Sequence, residues 1–147
     1  MPKSIIAPFR EEHALLTKLG DELRAIAGRP EPADAVELFH LRRHFSQKLT
    51  SHLHGEDWVL YPRLRASKDE RVAALADRFA GEMGSLSASY LSYARKWTTA
   101  AISADWKRYC EETITILDAL TERMKREDRE LYACAEAEPG EERLKAA

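Results

Sequence analysis

The chain has 147 residues, of which 44% are hydrophobic and 33% charged, with a net charge of -2. That length and balance fit one domain with one core, and they exclude a disordered chain and a coiled-coil rod. Interspersed charges give no basic footprint for nucleic acid and no polybasic membrane patch, and the apolar runs fall far short of the roughly 20 residues a membrane helix needs.

The N-terminal MPKSIIAPFREE has no long apolar stretch before a small-residue cleavage site, so no signal peptide is expected. Beyond it, apolar residues recur at spacings of three and four, which predicts helices. The first covers about 8–27. Pro8 suits its first turn, Gly28 its end, and its stripe reads Phe9, His13, Leu16, Leu19, Leu23, Ile26. A break follows at Gly28-Arg29-Pro30-Glu31-Pro32. The second helix, about 34–62, opens on Asp34 with Glu37 as a capping box and carries Leu38, Leu41, Phe45, Leu49, His52, Glu56 and Leu60. Pro62 ends or kinks it. Ser67 with Glu70 repeats the capping signature and opens the third helix, about 68–97, with Val72, Leu75, Phe79, Met83, Leu86, Tyr90, Tyr93 and Trp97 on its stripe. After a threonine-rich turn, Thr98 to Ser103, the fourth helix covers about 104–137 with Trp106, Cys110, Thr113, Leu117, Leu120, Met124, Glu127 and Leu131. Pro139-Gly140 is the last break. Four helices with short links favour an all-α, antiparallel up-down-up-down four-helix bundle, one domain over 1–147. Cys110 and Cys134 fall on one helix, roughly 36 Å apart at about 1.5 Å per residue, and cannot pair. Free thiols suit a reducing cytoplasm.

The two hairpins read as copies. Phe9-Arg-Glu-Glu-His13 aligns with Phe79-Ala-Gly-Glu-Met83, 70 residues later. Leu49 to Tyr61 aligns with Leu120 to Tyr132, 71 residues later, with six of 13 positions identical. Amphipathic helices share Leu and Glu by composition alone. Identical Leu-Thr, Glu-Asp and Leu-Tyr pairs at one fixed offset favour a repeat.

His52 and Glu56, four apart, share a helix face and lie on the apolar stripe. His13 and Glu127 lie on the stripes of their own helices. Polar side chains aimed into a core need partners. Imidazoles and carboxylates converging from several helices are how a bundle holds a metal, and nitrogen with oxygen suits iron, manganese or zinc. A His on the first helix, then His-x-x-x-Glu-Glu/Asp before a Leu-Tyr/Phe-Pro ending, resembles the hemerythrin-like, HHE cation-binding family, and HLHGEDWVLYP (His52 to Pro62) is a close match. The resemblance spans about residues 9–135. It implies a non-haem di-iron centre held by two hairpins, in a protein that carries or senses oxygen, handles iron, or answers oxidative or nitrosative stress. Residue by residue it assigns His13, His52 and Glu56 as ligands in the first hairpin, and Glu127 or its neighbour Asp128 in the second.

The second hairpin departs from the family pattern. Met83 stands at the expected His of the third helix, Phe79 one turn earlier, and Arg123 at the expected His of the fourth. Arginine is permanently cationic and has no lone pair to donate. Without metal, Glu56 and Glu127 would face each other as anions, and the Arg123 guanidinium can bind carboxylates in their place while Met83 and Phe79 fill space. The leading expectation is therefore a degenerate pocket with Arg123 in place of one or both metals and no bound cofactor. The alternatives are a mononuclear site from His13, His52, Glu56 and Glu127, or a full di-iron site.

Other features have plainer readings. His40 and His44 are four apart but flank the core stripe, and His54 points roughly 200° away from His52. Tyr90, Tyr93, Trp97, Trp106 and Tyr109 form an aromatic core end. Trp58 suits a partly exposed dimer contact, Cys110 a core position and Cys134 an accessible one. No nucleophile elbow, phosphate loop, dinucleotide turn or Cys-x-x-Cys pair is present. The expected function is non-enzymatic and regulatory or stress-related, acting through a homodimer or protein partner. The alternatives are a non-haem iron module that senses or carries oxygen, nitric oxide or iron, and an iron-dependent oxidase or peroxidase.

Overall fold

A computed structural model of the chain describes residues 4–32 and 34–137, so the Pro139-Gly140 break lies outside the described residues. Four rods form the molecule. The first is α1 (Ala7–Ala27); the second is α2 (Ala35–Gly55), a π-helical turn (Glu56–Leu60) and α3 (Tyr61–Arg65). The third is α4 (Glu70–Met83) with α5 (Leu86–Lys96). A short α6 (Thr99–Ala104) then leads into α7 (Trp106–Arg126), a second π-helical turn (Glu127–Tyr132) and α8 (Ala133–Glu136). The first rod packs on the second and fourth, and the third packs on the same two, which closes a four-helix bundle.

Local chemistry sets the ends. Asp34 caps α2 by accepting from Val36 N and Glu37 N at 3.0 and 2.9 Å. Gly28 ends α1 in a right-handed conformation, so it stops the helix without using the left-handed region open to glycine. Three expected details change. The cap of α4 is Asp69, which accepts from Arg71 N, while Ser67 receives Asp69 N instead. The third rod is broken at Gly84, where a Cβ would lie 2.9 Å from the Ala80 carbonyl oxygen. The threonine-rich turn is the helix α6, capped by Thr98, and its Ile102 is buried at the aromatic end of the core.

Pro62 does not end its rod. It stands in the first turn of α3, directly after the π-helical turn, where the Tyr61 N–H reaches back to the Glu56 carbonyl, five residues earlier. The proline is not the cause of such a turn, because Ala133 stands at the matching place after the second one. The wide turns bring Glu56 with Tyr61, and Glu127 with Tyr132, into the interior together.

The interior has two apolar clusters. The larger includes Leu16, Phe45, Leu49, Leu53, Leu117, Leu120 and the aromatic end formed by Tyr90, Trp97, Trp106 and Tyr109. The smaller includes Ile6, Leu60, Leu64, Val72, Phe79, Met83 and Leu131. Each fully buried Leu or Phe contributes about 1.5–3 kcal/mol. Along three rods a buried polar layer divides the clusters: His13 on the first, His52 and Glu56 on the second, Arg123 and Glu127 on the fourth.

Candidate metal centre

His13 comes from the middle of α1. His52 comes from the last turn of α2, and Glu56 opens the π-helical turn after it. Glu127 opens the second π-helical turn after α7. All four are at most 3% exposed. One ligand atom from each lies within 4.8 Å of the others, the only such group among the described residues. His13 Nε2 is 3.3 Å from Glu127 Oε1 and 3.9 Å from Glu56 Oε1, and His52 Nε2 is in contact with Glu56 Oε1. None of these four inner atoms makes a hydrogen bond of acceptable geometry.

Their outer atoms, in contrast, are all engaged. His13 Nδ1 pairs with Asp128 Oδ1 at 2.9 Å, and His52 Nδ1 with Glu12 Oε1 at 2.7 Å. A carboxylate on Nδ1 holds the proton there and turns the Nε2 lone pair inward, as outer partners of metal-bound histidines do. The Tyr132 hydroxyl donates to Glu56 Oε2 at 3.1 Å, and the Tyr61 hydroxyl donates to Glu127 Oε2. Each hairpin's tyrosine thus secures the other hairpin's glutamate. Buried polar atoms are nearly always paired, so four lone pairs left facing one point are the mark of a site built for a cation.

The electrostatics agree. Burial works against charging His13, but the neighbouring Glu127 and Glu56 outweigh it and raise the imidazole to about 10. His52 is raised against the same burial by Glu56 and Glu12. Glu56 overcomes burial through Glu127, His13 and His52 and falls well below the ordinary carboxylate range. Burial and the Glu56 charge push Glu127 up. Without a metal, the pocket draws protons to fill the place of a positive ion.

Arg123 is 2% exposed and reaches the outer side of the same carboxylates. Its Nε donates to Glu127 Oε2 at 3.3 Å and its Nη1 to the Met83 carbonyl at 3.2 Å. Its Nη2 is 3.8 Å from both Glu56 Oε2 and Asp57 Oδ1. Phe79 and Met83 are buried in the smaller apolar cluster. The expectation that no cofactor is bound is not supported: Arg123 engages only the outer oxygens and leaves the inner four atoms facing only one another.

The family resemblance leaves Glu127 and Asp128 open as the fourth ligand. The structure puts Glu127 inside and gives Asp128 the support of His13. Tyr61, Tyr132 and Glu12 join the site without being among the expected residues. The tyrosine pair was visible as the identical Leu-Tyr of the repeat, and Glu12 as the residue before His13, matched by Glu82. His40, His44 and His54 are exposed and take no part.

Comparison with curated proteins and with solved structures returned no match. The family model described as hemerythrin HHE cation binding domain matches residues 4–135, which takes in all four rods and every residue of the polar layer. On that match, with the bundle and its inward histidines and carboxylates, the chain belongs to the hemerythrin family of HHE cation-binding domains.

Proposed function

We propose that this protein is a non-enzymatic, regulatory or stress-related module that holds non-haem iron through His13, His52, Glu56 and Glu127. The observation that carries the reading is the convergence of four buried ligand atoms that face only one another, without a hydrogen bond of acceptable geometry, while their residues' outer atoms are already fixed. Two imidazoles and two carboxylates, with no thiolate, suit iron, manganese or zinc, and the family resemblance selects iron. Bound iron supplies a one-electron redox couple and an affinity for oxygen and nitric oxide, the signals of the alternative in which the module senses or carries these ligands or iron itself. The chain's own part is to hold the lone pairs in place and keep bulk water out. Asp128 and Glu12 orient the imidazoles, and Tyr61 and Tyr132 orient the carboxylates.

Burial of all four residues favours binding over turnover, because an oxidase or peroxidase needs a position that substrate can reach. A partner protein or a second copy of the chain carries the output. A cytoplasmic location fits the two free cysteines. No helix among the described residues is long and apolar enough to cross a membrane.

Metal analysis tests the reading. Protein grown with added iron should retain it near-stoichiometrically and show visible absorption that reduction bleaches, and His52→Ala should retain none while its far-UV circular dichroism stays unchanged. Failure of the native protein to bind iron, manganese or zinc after anaerobic reconstitution rejects the reading. Peroxide turnover abolished by His52→Ala would replace the non-enzymatic role with a catalytic one.

A further inference from the structure

We infer that the pocket takes one divalent cation and no second, because the Arg123 guanidinium occupies the second cation's place. The inference rests on the metal-binding reading above and fixes its stoichiometry.

Three observations carry it. The first is the division of labour between carboxylate oxygens. A glutamate that bridges two ions in the bidentate manner offers one oxygen to each. Here only Oε1 of Glu56 and Oε1 of Glu127 face the histidines without partners. Both Oε2 atoms are spent on the crossed tyrosine hydroxyls, and Arg123 Nε adds a further hydrogen bond to that of Glu127. Four residues therefore offer one atom each, the count that suits one ion.

The second is position within the repeat. His13 and His52 correspond to Met83 and Arg123 in the second hairpin, and Asp128 corresponds to Asp57. Asp128 supports the His13 imidazole, whereas its counterpart Asp57 faces the Arg123 guanidinium at 3.8 Å. The same guanidinium donates to the Met83 backbone. The arginine thus stands at one of the two places where the second hairpin would present imidazoles and is tied to the backbone of the other, and it rests over the Tyr61 ring at 5.8 Å.

The third is charge. Arg123 cannot release its proton, so a second dication would have to settle against a permanent cation in a water-excluded space. One dication with the guanidinium matches the three facing acids, Glu56, Glu127 and Asp57, whereas a second dication would leave the pocket with excess positive charge. Arg123 does not replace the first ion as well, since the inner nitrogens and oxygens receive no hydrogen bond from it.

Anaerobic titration of the full chain with ferrous iron alone, followed by desalting and metal analysis, tests the count. One iron per chain is expected. Two per chain would overturn this inference and leave the metal-binding reading intact, whereas none would overturn that reading and this inference with it. The double variant Arg123→His, Met83→His should take two per chain. If it stays at one with native circular dichroism, Arg123 is not what limits the pocket and the inference fails. If the double variant does not fold, Arg123→Lys and Arg123→Met decide. Loss of the charge in Arg123→Met should tighten the first ion at least tenfold relative to Arg123→Lys, and equal affinities would overturn the assignment.

Discussion

The two hairpins share a frame and differ in what they place inside it. Each has a π-helical turn opened by a buried glutamate, and each closes that turn with a tyrosine bonded to the glutamate of the other hairpin. The first hairpin surrounds its glutamate with His13 and His52, supported by Asp128 and Glu12. The second places Arg123, Met83 and Phe79 at the matching positions, and of these Arg123 bonds its glutamate while Met83 and Phe79 pack in the smaller apolar cluster. The frame is held by packing and by the crossed hydroxyls, and neither asks which side chains stand at the ligand positions. A bundle can therefore keep metal-site geometry in both halves while only one half supplies histidine ligands.

Arg123→Met should break the comparison most severely. In the metal-free protein it strips the two buried glutamates of their fixed cation, and removing one partner of a buried ion pair costs about 3–5 kcal/mol. Chemical unfolding of the metal-free variant should register that loss, a large part of the roughly 5–15 kcal/mol typical of a whole domain. A loss under about 1 kcal/mol would mean that the guanidinium is not what balances the acids. His13→Ala in the other hairpin should act mainly on metal affinity, beyond the roughly 10–100-fold that outer partners control.

Tyr61→Phe and Tyr132→Phe ask whether the shared frame is equal in both halves. Each leaves one buried carboxylate oxygen short of a donor, a cost of about 1–3 kcal/mol. Arg123 still donates to the Glu127 oxygen that Tyr61 serves, but it comes no closer than 3.8 Å to the Glu56 oxygen that Tyr132 serves. Tyr132→Phe should therefore cost more than Tyr61→Phe, both in stability and in metal affinity. Equal losses would show that the arginine lends no support at Glu127.

The pH response sets His13 and Glu127 against Glu56. His13, raised from 6.5 to about 10, adds stability to the metal-free protein that is complete below 6.5 and lost as pH rises toward 10. Glu127, also raised, acts with the same sign at lower pH. Glu56, lowered, acts with the opposite sign, and its contribution fades only as pH falls below 4.5. Melting temperature of the metal-free protein should thus decline from about pH 6 to pH 10. Iron affinity should climb over that window, because the ion displaces the protons. A metal-free melting temperature that does not fall would place His13 outside the carboxylates' influence.

Much of this was legible in the sequence. Helical periodicity gave the rods, and polar residues on apolar stripes gave His13, His52, Glu56 and Glu127. The repeat puts Arg123 at an imidazole's position. What could not be read depends on geometry between chain segments. A π-helical turn adds one residue to a helix without a compositional mark, so the repeated Leu-Tyr does not show which glutamates Tyr61 and Tyr132 reach. The choice between Glu127 and Asp128 turns on about one residue of helical rotation. Glu12 reads as a surface acid, since nothing local to α1 announces that His52 lies beside it. The break at Gly84 was missed because the stripe from Val72 to Trp97 continues in register across it.

The smallest expected effect lies on the outside of the two wide turns, where Trp58 of the first hairpin corresponds to Arg129 of the second. Trp58 is 72% exposed and stacks only on His54, with ring centroids 5.6 Å apart. Arg129 is likewise solvent-facing and 3.9 Å from Glu122. Surface substitutions of this kind change stability by no more than about 0.5 kcal/mol. Trp58→Ala and Arg129→Ala should match each other within that margin and leave iron binding untouched, because Trp58 points away from the pocket that Glu56 enters. The measurement is thermal unfolding at two protein concentrations. If Trp58→Ala alone loses stability, and loses more at the higher concentration, the tryptophan is buried between copies of the chain and the two turns differ in function on their outer face as well as their inner one.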